Sequence, residues 1–349
     1  MLQVTVQVII PARNEEDCIG RCLESLVNQQ GIGFQIIVVD DGSTDRTRLI
    51  AQREPGVRVI SAPEPDAGIS GKCNALIAGA RDAGAKWLLL TDADTFHYPG
   101  SLAAAVKEAE EREVDMLSYS PEQETGSWYE RALLPVVYAE LARTYPPAQV
   151  NDPASSIVAA NGQYILVRRA TYEALGGHTA VAHKILEDVE LARLFKVKSY
   201  RVWFCHGAGR VRTRMYRSFR GMCEGWTKNL VSLFPRPLRL AGVRALEFAA
   251  IVGFLVLSLL LAQKGLRLEA AGAVFPAVIL YAVFLLRIRK AHFPWHANLM
   301  SFMGLPLFAS LLVRSWLHSR VQGAITWKGR QYASSAAEPA VDSSIAKDI

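Results

Sequence analysis

A chain of 349 residues, half of them hydrophobic, can enclose one large α/β domain and a smaller appendage. Five cysteines without CxxC spacing exclude a disulfide framework and a zinc site, so Cys18, Cys22, Cys73, Cys205 and Cys223 read as small buried hydrophobes. The net charge of +6 is uneven: between Arg201 and Arg244, nine Arg and Lys228 face only Glu224. No aromatic sheet motif or reading helix accompanies that basic block, so no nucleic acid is expected as a partner.

Met1 leads into Val4–Ile10 without a basic n-region or cleavage site, which places the N-terminal domain in the cytosol as an expectation. Val4–Ile10 alternates and then runs apolar, as a buried strand does. Glu15–Gln29 has helical spacing through Cys18, Ile19, Cys22, Leu23 and Leu26. Gln35–Val39 reads as a second strand, followed by Asp40-Asp41-Gly42-Ser43-Thr44-Asp45, and Ser43 or Thr44 is a candidate cap for a helix over Asp45–Arg53. Val57–Ser61 is a third strand, Ser70–Ala83 a helix, and Lys86–Thr91 a fourth strand ending at Asp92-Ala93-Asp94. Strands and helices in this alternation predict βαβ units and a mostly parallel sheet, with ligands beyond the carboxyl ends of its strands. Further on, Gln163–Arg168 reads as a strand, Arg169–Leu175 as a short helix closed by Gly176-Gly177, and Glu187–Lys196 as another helix. Ser127–Thr144 is amphipathic with Pro135 inside it; its Trp128, Tyr129 and Tyr138 form an interfacial belt or an acceptor platform.

From Phe248 the texture changes to long uncharged runs: Phe248–Gln263, Ala270–Leu286, and the stretch between Lys290 and Arg314. A spanning helix needs roughly 20 apolar residues, and three adjacent apolar helices without a charged face favour a membrane over a soluble core. The basic block ahead of them suits the positive-inside rule and anionic headgroups. The expected organisation is an α/β domain over 1–235, a membrane region over 236–315 with two to three helices, and a basic then disordered tail over 316–349.

Two carboxylates around Ala93 at the end of a buried strand suit a divalent cation and a ribose, because Mg²⁺ and Mn²⁺ take one or two carboxylates plus substrate phosphates. An Asp-rich turn is the bland alternative. Asp41 at its strand end can accept from a pyrimidine N–H or simply precede a helix. Lys72, opening a helix after Gly71, either balances a diphosphate or is a solvated lysine. His178, His183 and His206 have no ligand spacing and read as satisfied or surface histidines.

Taken in order, Ile9-Ile10-Pro11-Ala12-Arg13-Asn14-Glu15-Glu16, the Asp41 cluster, Gly71-Lys72-Cys73-Asn74-Ala75-Leu76, Asp92-Ala93-Asp94, Asn161-Gly162-Gln163, Gly176-Gly177-His178 and Leu186-Glu187-Asp188 resemble the family 2 glycosyltransferases of the GT-A fold. The resemblance covers roughly residues 4–230. Arg214-Met215-Tyr216, Gly225-Trp226-Thr227-Lys228-Asn229 and Trp327-Lys328-Gly329-Arg330-Gln331-Tyr332 look most like bacterial membrane-associated enzymes that glycosylate carotenoids, hopanoids or related lipids.

The resemblance implies contacts from Pro11, Asn14, Glu15 and Asp41 to the nucleoside of a UDP-sugar donor, Asp92 near the ribose, and Asp94 with Asp92 on Mg²⁺ or Mn²⁺. It also implies Asp188 as the base for a hydroxyl of a lipid or isoprenoid acceptor, Glu187 beside it, inversion at the anomeric carbon, and a catalytic domain on the cytoplasmic side of the inner membrane. Arg217-Ser-Phe-Arg220 matches the first four positions of the motif of processive relatives, but Gly221 replaces its tryptophan, which favours transfer of a single sugar. Arg217 and Arg220 then approach the diphosphate or face headgroups. The alternatives are a polyprenyl-phosphate glycosyltransferase, a polysaccharide synthase, a nucleotidyltransferase, disfavoured by the absence of glycine after the first strand, and a transporter subunit, disfavoured by runs nearly without polar sites.

Overall fold

The computed structural model describes residues 4–81, 83–321, 324–327 and 330–333. The N-terminal alternation becomes β1 (Val6–Ala12), α1 (Ile19–Val27), β2 (Phe34–Asp40), α2 (Thr47–Arg53), β3 (Val57–Ser61), α3 (Gly71–Arg81) and β4 (Trp87–Thr91). There follow β5 (Thr95–His97), α4 (Ser101–Glu111), β6 (Met116–Ser120), β7 (Glu122–Gln123), α5 (Trp128–Thr144), α6 (Pro147–Val150), β8 (Tyr164–Arg168), α7 (Arg169–Ala174) and α8 (Glu187–Val197). The chain continues through β9 (Val202–His206), β10 (Val211–Thr213), α9 (Phe219–Leu233), α10 (Pro237–Gln263), α11 (Arg267–Ile288), α12 (Trp295–Met300) and α13 (Gly304–Val321). Two last strands, β11 (Ala324–Trp327) and β12 (Arg330–Ala333), pair with each other.

The elements group into two units. The first runs to Glu124, resumes over Pro147–Met215 and includes β11 and β12; the second holds Thr125–Pro146 and the helices after Tyr216. In the first, seven strands form one sheet in the order β3-β2-β1-β4-β8-β6-β9. β3, β2, β1 and β4 are parallel, β8 runs against both β4 and β6, and β9 is parallel to β6. Val8, Ile10, Leu89 and Leu166 join Leu23, Leu26 and Leu102 on one face; Ile9, Val39, Leu88 and Leu90 join Leu76 and Phe195 on the other. A sheet covered on both faces explains why its strands read as continuous apolar runs.

α4, α6, α9 and the strands β5, β6, β7, β9, β10, β11 and β12 are not among the elements expected from the sequence. Three of those strands, β5, β10 and β7, form a small separate sheet. One cap expectation is corrected. Arg46 precedes α2 without a side-chain cap, because the Ser43 hydroxyl instead accepts from Asn14 N at 3.1 Å and Thr44 N donates to the Asn14 side-chain Oδ1 at 2.8 Å. At α5, the Glu130 carboxylate accepts from Ser127 N at 2.6 Å, completing a capping box that the residues spell out.

In the second unit, three helices are long and apolar enough to cross a membrane, over Pro237–Gln263, Arg267–Ala291 and Trp295–Arg320. α13 continues through Val321, and the expected disorder after Tyr332 lies largely outside the described residues.

Candidate active site

β1 keeps β4 as a neighbour only as far as Ile9 opposite Leu90, whereas its ladder with β2 continues to Ala12 opposite Asp40. The strand order reverses here, since β2 and β3 lie to one side of β1 and β4 to the other. Such a switch point is where open α/β sheets hold ligands. Pro11 sits in the part of β1 bonded to β2 alone, where a missing N–H breaks no ladder to β4.

The loops after β1 and β2 are laced together. Asn14, in the left-handed region at φ 53°, donates its N–H to Ser43 and accepts from Thr44 N at 2.8 Å. Glu15 N donates to Thr47 Oγ1 at 2.7 Å, and Glu16 N to the Asp45 carboxylate at 3.1 Å. Asp41 is buried, with Arg13 Nη1 donating to its backbone oxygen at 2.9 Å and lying 3.7 Å from its carboxylate.

Across the switch point, threonines hold the turn after β4 from below. Thr95 Oγ1 donates to Asp92 O at 2.7 Å, Thr213 Oγ1 to Asp94 O at 3.2 Å, and Gln163 Nε2 to Thr213 Oγ1 at 3.3 Å. His97 Nε2 lies 3.1 Å from Thr95 Oγ1, and burial holds this imidazole down to about 3, hence neutral at physiological pH. Sequence reasoning missed Thr95 and Thr213, because a threonine in a short strand carries no sign of what its hydroxyl holds.

Asp94 is different. Burial, and then the neighbouring charges of Asp92 and Glu15, push its carboxyl above the ordinary range, and its Oδ1 has no hydrogen-bond partner among the described residues. A buried acid oxygen without a donor fits a divalent cation, which removes both the desolvation cost and the repulsion. No cluster of three His, Cys, Asp or Glu gathers for a metal among the described residues. A cation at Asp92 and Asp94 would take its remaining ligands from diphosphate oxygens or water.

Lys72, in the first turn of α3, reaches Asp92 Oδ1 at 2.7 Å and Glu187 Oε1 at 3.7 Å. Burial alone would lower its pKa, but Asp92, Glu187 and Asp188 more than offset this and raise it. Glu187 and Asp188 open α8. Asp188 accepts from Gly162 N at Oδ2 and from its neighbour Val189 N at Oδ1, both at 2.8 Å. Burial first, then Glu187, lift Asp188 to about 6, against the pull of Lys72 and the two N–H groups. Gly162 permits this closeness: a Cβ there would stand 3.0 Å from Lys72 Nζ and 3.3 Å from Asp188 Oδ2. A cation, a carboxylate with raised proton affinity and a cation-ready acid pair therefore converge at one end of the sheet. That set suits substitution of a diphosphate leaving group by a nucleophile that sheds a proton.

Arg217 and Arg220 belong to the second unit; Arg220 is exposed and donates to Glu224 at 2.8 Å.

The model of the family described as Glycosyl transferase family 2 matches residues 7–176, which contain the loops after β1, β2 and β4. A protein of Staphylococcus aureus strain MRSA252, 4,4'-diaponeurosporenoate glycosyltransferase, is 29% identical over 336 residues, covering 93% of this chain and 88% of its own. Among solved structures, the mannosyltransferase PcManGT from Pyrobaculum calidifontis in complex with GDP-Man and Mn²⁺ has a TM-score of 0.48 at 18% identity, covering 91% of this chain and 87% of that one. S. aureus TarS 1-349 in complex with UDP-GlcNAc has a TM-score of 0.44 at 18% identity, covering 95% and 97%. Over residues 7–176, which carry the strand-end loops, the chain matches the family 2 glycosyltransferases, and it is an enzyme built on a mostly parallel α/β sheet.

Proposed function

We propose that this enzyme transfers one sugar, with inversion, from a nucleoside-diphosphate sugar to a hydroxyl of an isoprenoid or related lipid, at the cytoplasmic face of the inner membrane. The donor in this reading is a UDP-sugar, as in the family pattern. The observation that carries the proposal is the convergence of Asp188 and Glu187 from α8 with Lys72 and Asp92 at the switch point. Pro11, Asn14, Glu15 and Asp41 would line the nucleoside, and Asp92 would face the ribose. Asp94, with Asp92, would hold Mg²⁺ or Mn²⁺, which when bound offsets charge on the departing diphosphate. Lys72 neutralises the acids around it and so keeps the rim from repelling the donor. Asp188, with a proton affinity near neutrality, takes the acceptor hydroxyl's proton as the C–O bond forms. Three apolar helices keep such an enzyme beside an acceptor dissolved in lipid. Membranes containing the protein, incubated with labelled UDP-sugars and extracted with organic solvent, should yield a labelled lipid. Label confined to water-soluble products would refute the reading.

A second reading rests on the Staphylococcus relative, whose name ends in the -oate of a carboxylate. A carboxylate acceptor is already ionised and needs no base. Mild alkali separates the two, since it frees the sugar from an ester and leaves an O-glycoside, an acetal, intact.

A further inference from the structure

Glu140, in α5, has a side chain only 1% exposed, yet three arginines surround it: Arg143 at 3.1 Å, Arg244 at 3.1 Å and Arg287 at 3.4 Å. Glu247 closes the ring, 2.6 Å from Arg244 and 2.8 Å from Arg287. Arg244 and Glu247 stand near the start of α10, and Arg287 in the last turn of α11. Charges this buried persist only when paired and are costly in hydrocarbon, so the knot fixes one level for α5, the foot of α10 and the end of α11.

Chain connectivity says which side that level is on. The chain leaves the sheet-bearing unit after Glu124 and returns to it at Pro147, and β6 and β8, on either side of α5 in sequence, are hydrogen-bonded neighbours. α5 therefore begins and ends on one side of a bilayer, and the knot lies there too. From the knot, Phe248–Gln263 of α10 extends about 24 Å. Gly265, at φ 78°, turns the chain, and Leu268–Leu286 of α11 returns over about 28 Å. Both arms approach the ~30 Å hydrocarbon core, and Leu259, Phe275 and Leu286 are exposed along them.

The third apolar stretch differs. Half of its most apolar window is buried in protein, against 6% for α10 and 22% for α11. α13 packs on α5 and α9: Val231 N donates to Ser315 Oγ at 2.9 Å, Phe234 meets Phe308, and Gly304 lies so close to Ala132 O that no Cβ fits. Between α12 and α13, Phe302 stacks on Phe248, beside the knot residue Glu247. The Tyr281 hydroxyl donates to Leu299 O, six residues or about 9 Å along α11 from Arg287. The Phe302 and Leu299 contacts therefore lie within about 9 Å of the knot along α10 and α11.

We infer that the chain crosses the bilayer twice: α10 and α11 are a spanning hairpin, and α12 with α13 is a shallow element in the leaflet that holds the knot. α13 therefore ends, at Val321, on the same side as the knot. The occupant of the exposed apolar surface is lipid. Trp295 and Met303 are exposed on the shallow element, and exposed Trp128 and Phe219 stack at 6.4 Å as an interfacial pair. The topology is independent of the reaction proposed above.

The test places one epitope tag in the full chain, before Met1, between Lys264 and Gly265, or after Ile349. Antibody is applied to sealed bacterial spheroplasts and again after permeabilisation. The hairpin tag should be seen in sealed spheroplasts, and both terminal tags only after permeabilisation. A C-terminal tag seen in sealed spheroplasts would establish a third crossing and overturn the inference. Because an inserted tag can disturb the tip, L268C is labelled in parallel with a membrane-impermeant maleimide, Leu268 being 87% exposed. Labelling in sealed spheroplasts is expected, and labelling only after permeabilisation would show that the hairpin does not cross.

Discussion

Glu187 and Asp188 are adjacent acids in one helical turn, and their surroundings divide them. Glu187 faces Lys72, whereas Asp188 spans two backbone donors, Gly162 and Val189. Asn at 188 could accept from one of those donors and not both, so a fall in rate alone would not separate chemistry from geometry. The pH profile does. With Asp188 near 6, single-turnover transfer to a hydroxyl should rise with pH as one ionisation and level off above 7. D188N should bind donor, lose about 10²-fold or more in transfer, and show no such limb. A retained limb would assign the ionisation elsewhere, and a rate within a few-fold of the parent would favour the carboxylate acceptor. For Asp94, the orphaned Oδ1 predicts that D94N needs far more Mn²⁺ for half-maximal rate while the fold persists. An unchanged metal requirement would remove Asp94 from the cation site.

At the scale of elements, α3 delivers Lys72 to the rim, and its seat on the sheet depends on Gly79. A Cβ there would come within 2.4 Å of Ile9 Cγ2 and 3.0 Å of Val39 Cγ2. In an open helix Gly→Ala would gain about 1 kcal/mol; here the overlap outweighs that gain, and G79A should cost about 1–3 kcal/mol. Thermal unfolding of the detergent-solubilised protein measures it, and a stabilised G79A would mean that α3 yields easily. Nothing in the one-dimensional pattern marks Gly79 apart from other glycines, because its neighbours come from two strands distant in sequence. The parallel half of the sheet was legible, since β1, β2 and β4 are buried on both faces, the edge strand β3 still alternates, and turns punctuate all four. Their acid-bearing ends were legible with them. The short strands β5, β7 and β10 were not: two or three residues carry no periodicity, and β10 lies inside a block that reads simply as basic. The approach of Asp188 to Gly162 was hidden as well, because both lie in loops and helix ends whose meeting is decided by β8 running against its neighbours.

For the whole molecule, the charge pattern looks different once folded. The block from Arg201 to Arg244 reads as a headgroup-binding stripe, yet Arg201 pairs with Glu113, Arg212 with Glu124, Arg220 with Glu224, and Arg244 with Glu140 and Glu247. Part of the local excess is therefore spent on internal pairs, of which the Glu140 knot is the most buried. Removing one member of a buried pair typically costs about 3–5 kcal/mol, because it strands the partner charge. In E140Q, Arg244 and Arg287 would share Glu247 alone, so the variant should unfold at clearly lower temperature in detergent. Its first unit, whose sheet contains none of these residues, should still bind donor below that temperature. R287M relieves one of the stranded cations, so adding it to E140Q should recover part of the loss, an interaction that a double-mutant cycle reads directly. Additive losses in E140Q, R287M and the double variant would show that the two charges do not stabilise each other, and that some other contact sets the level of α11.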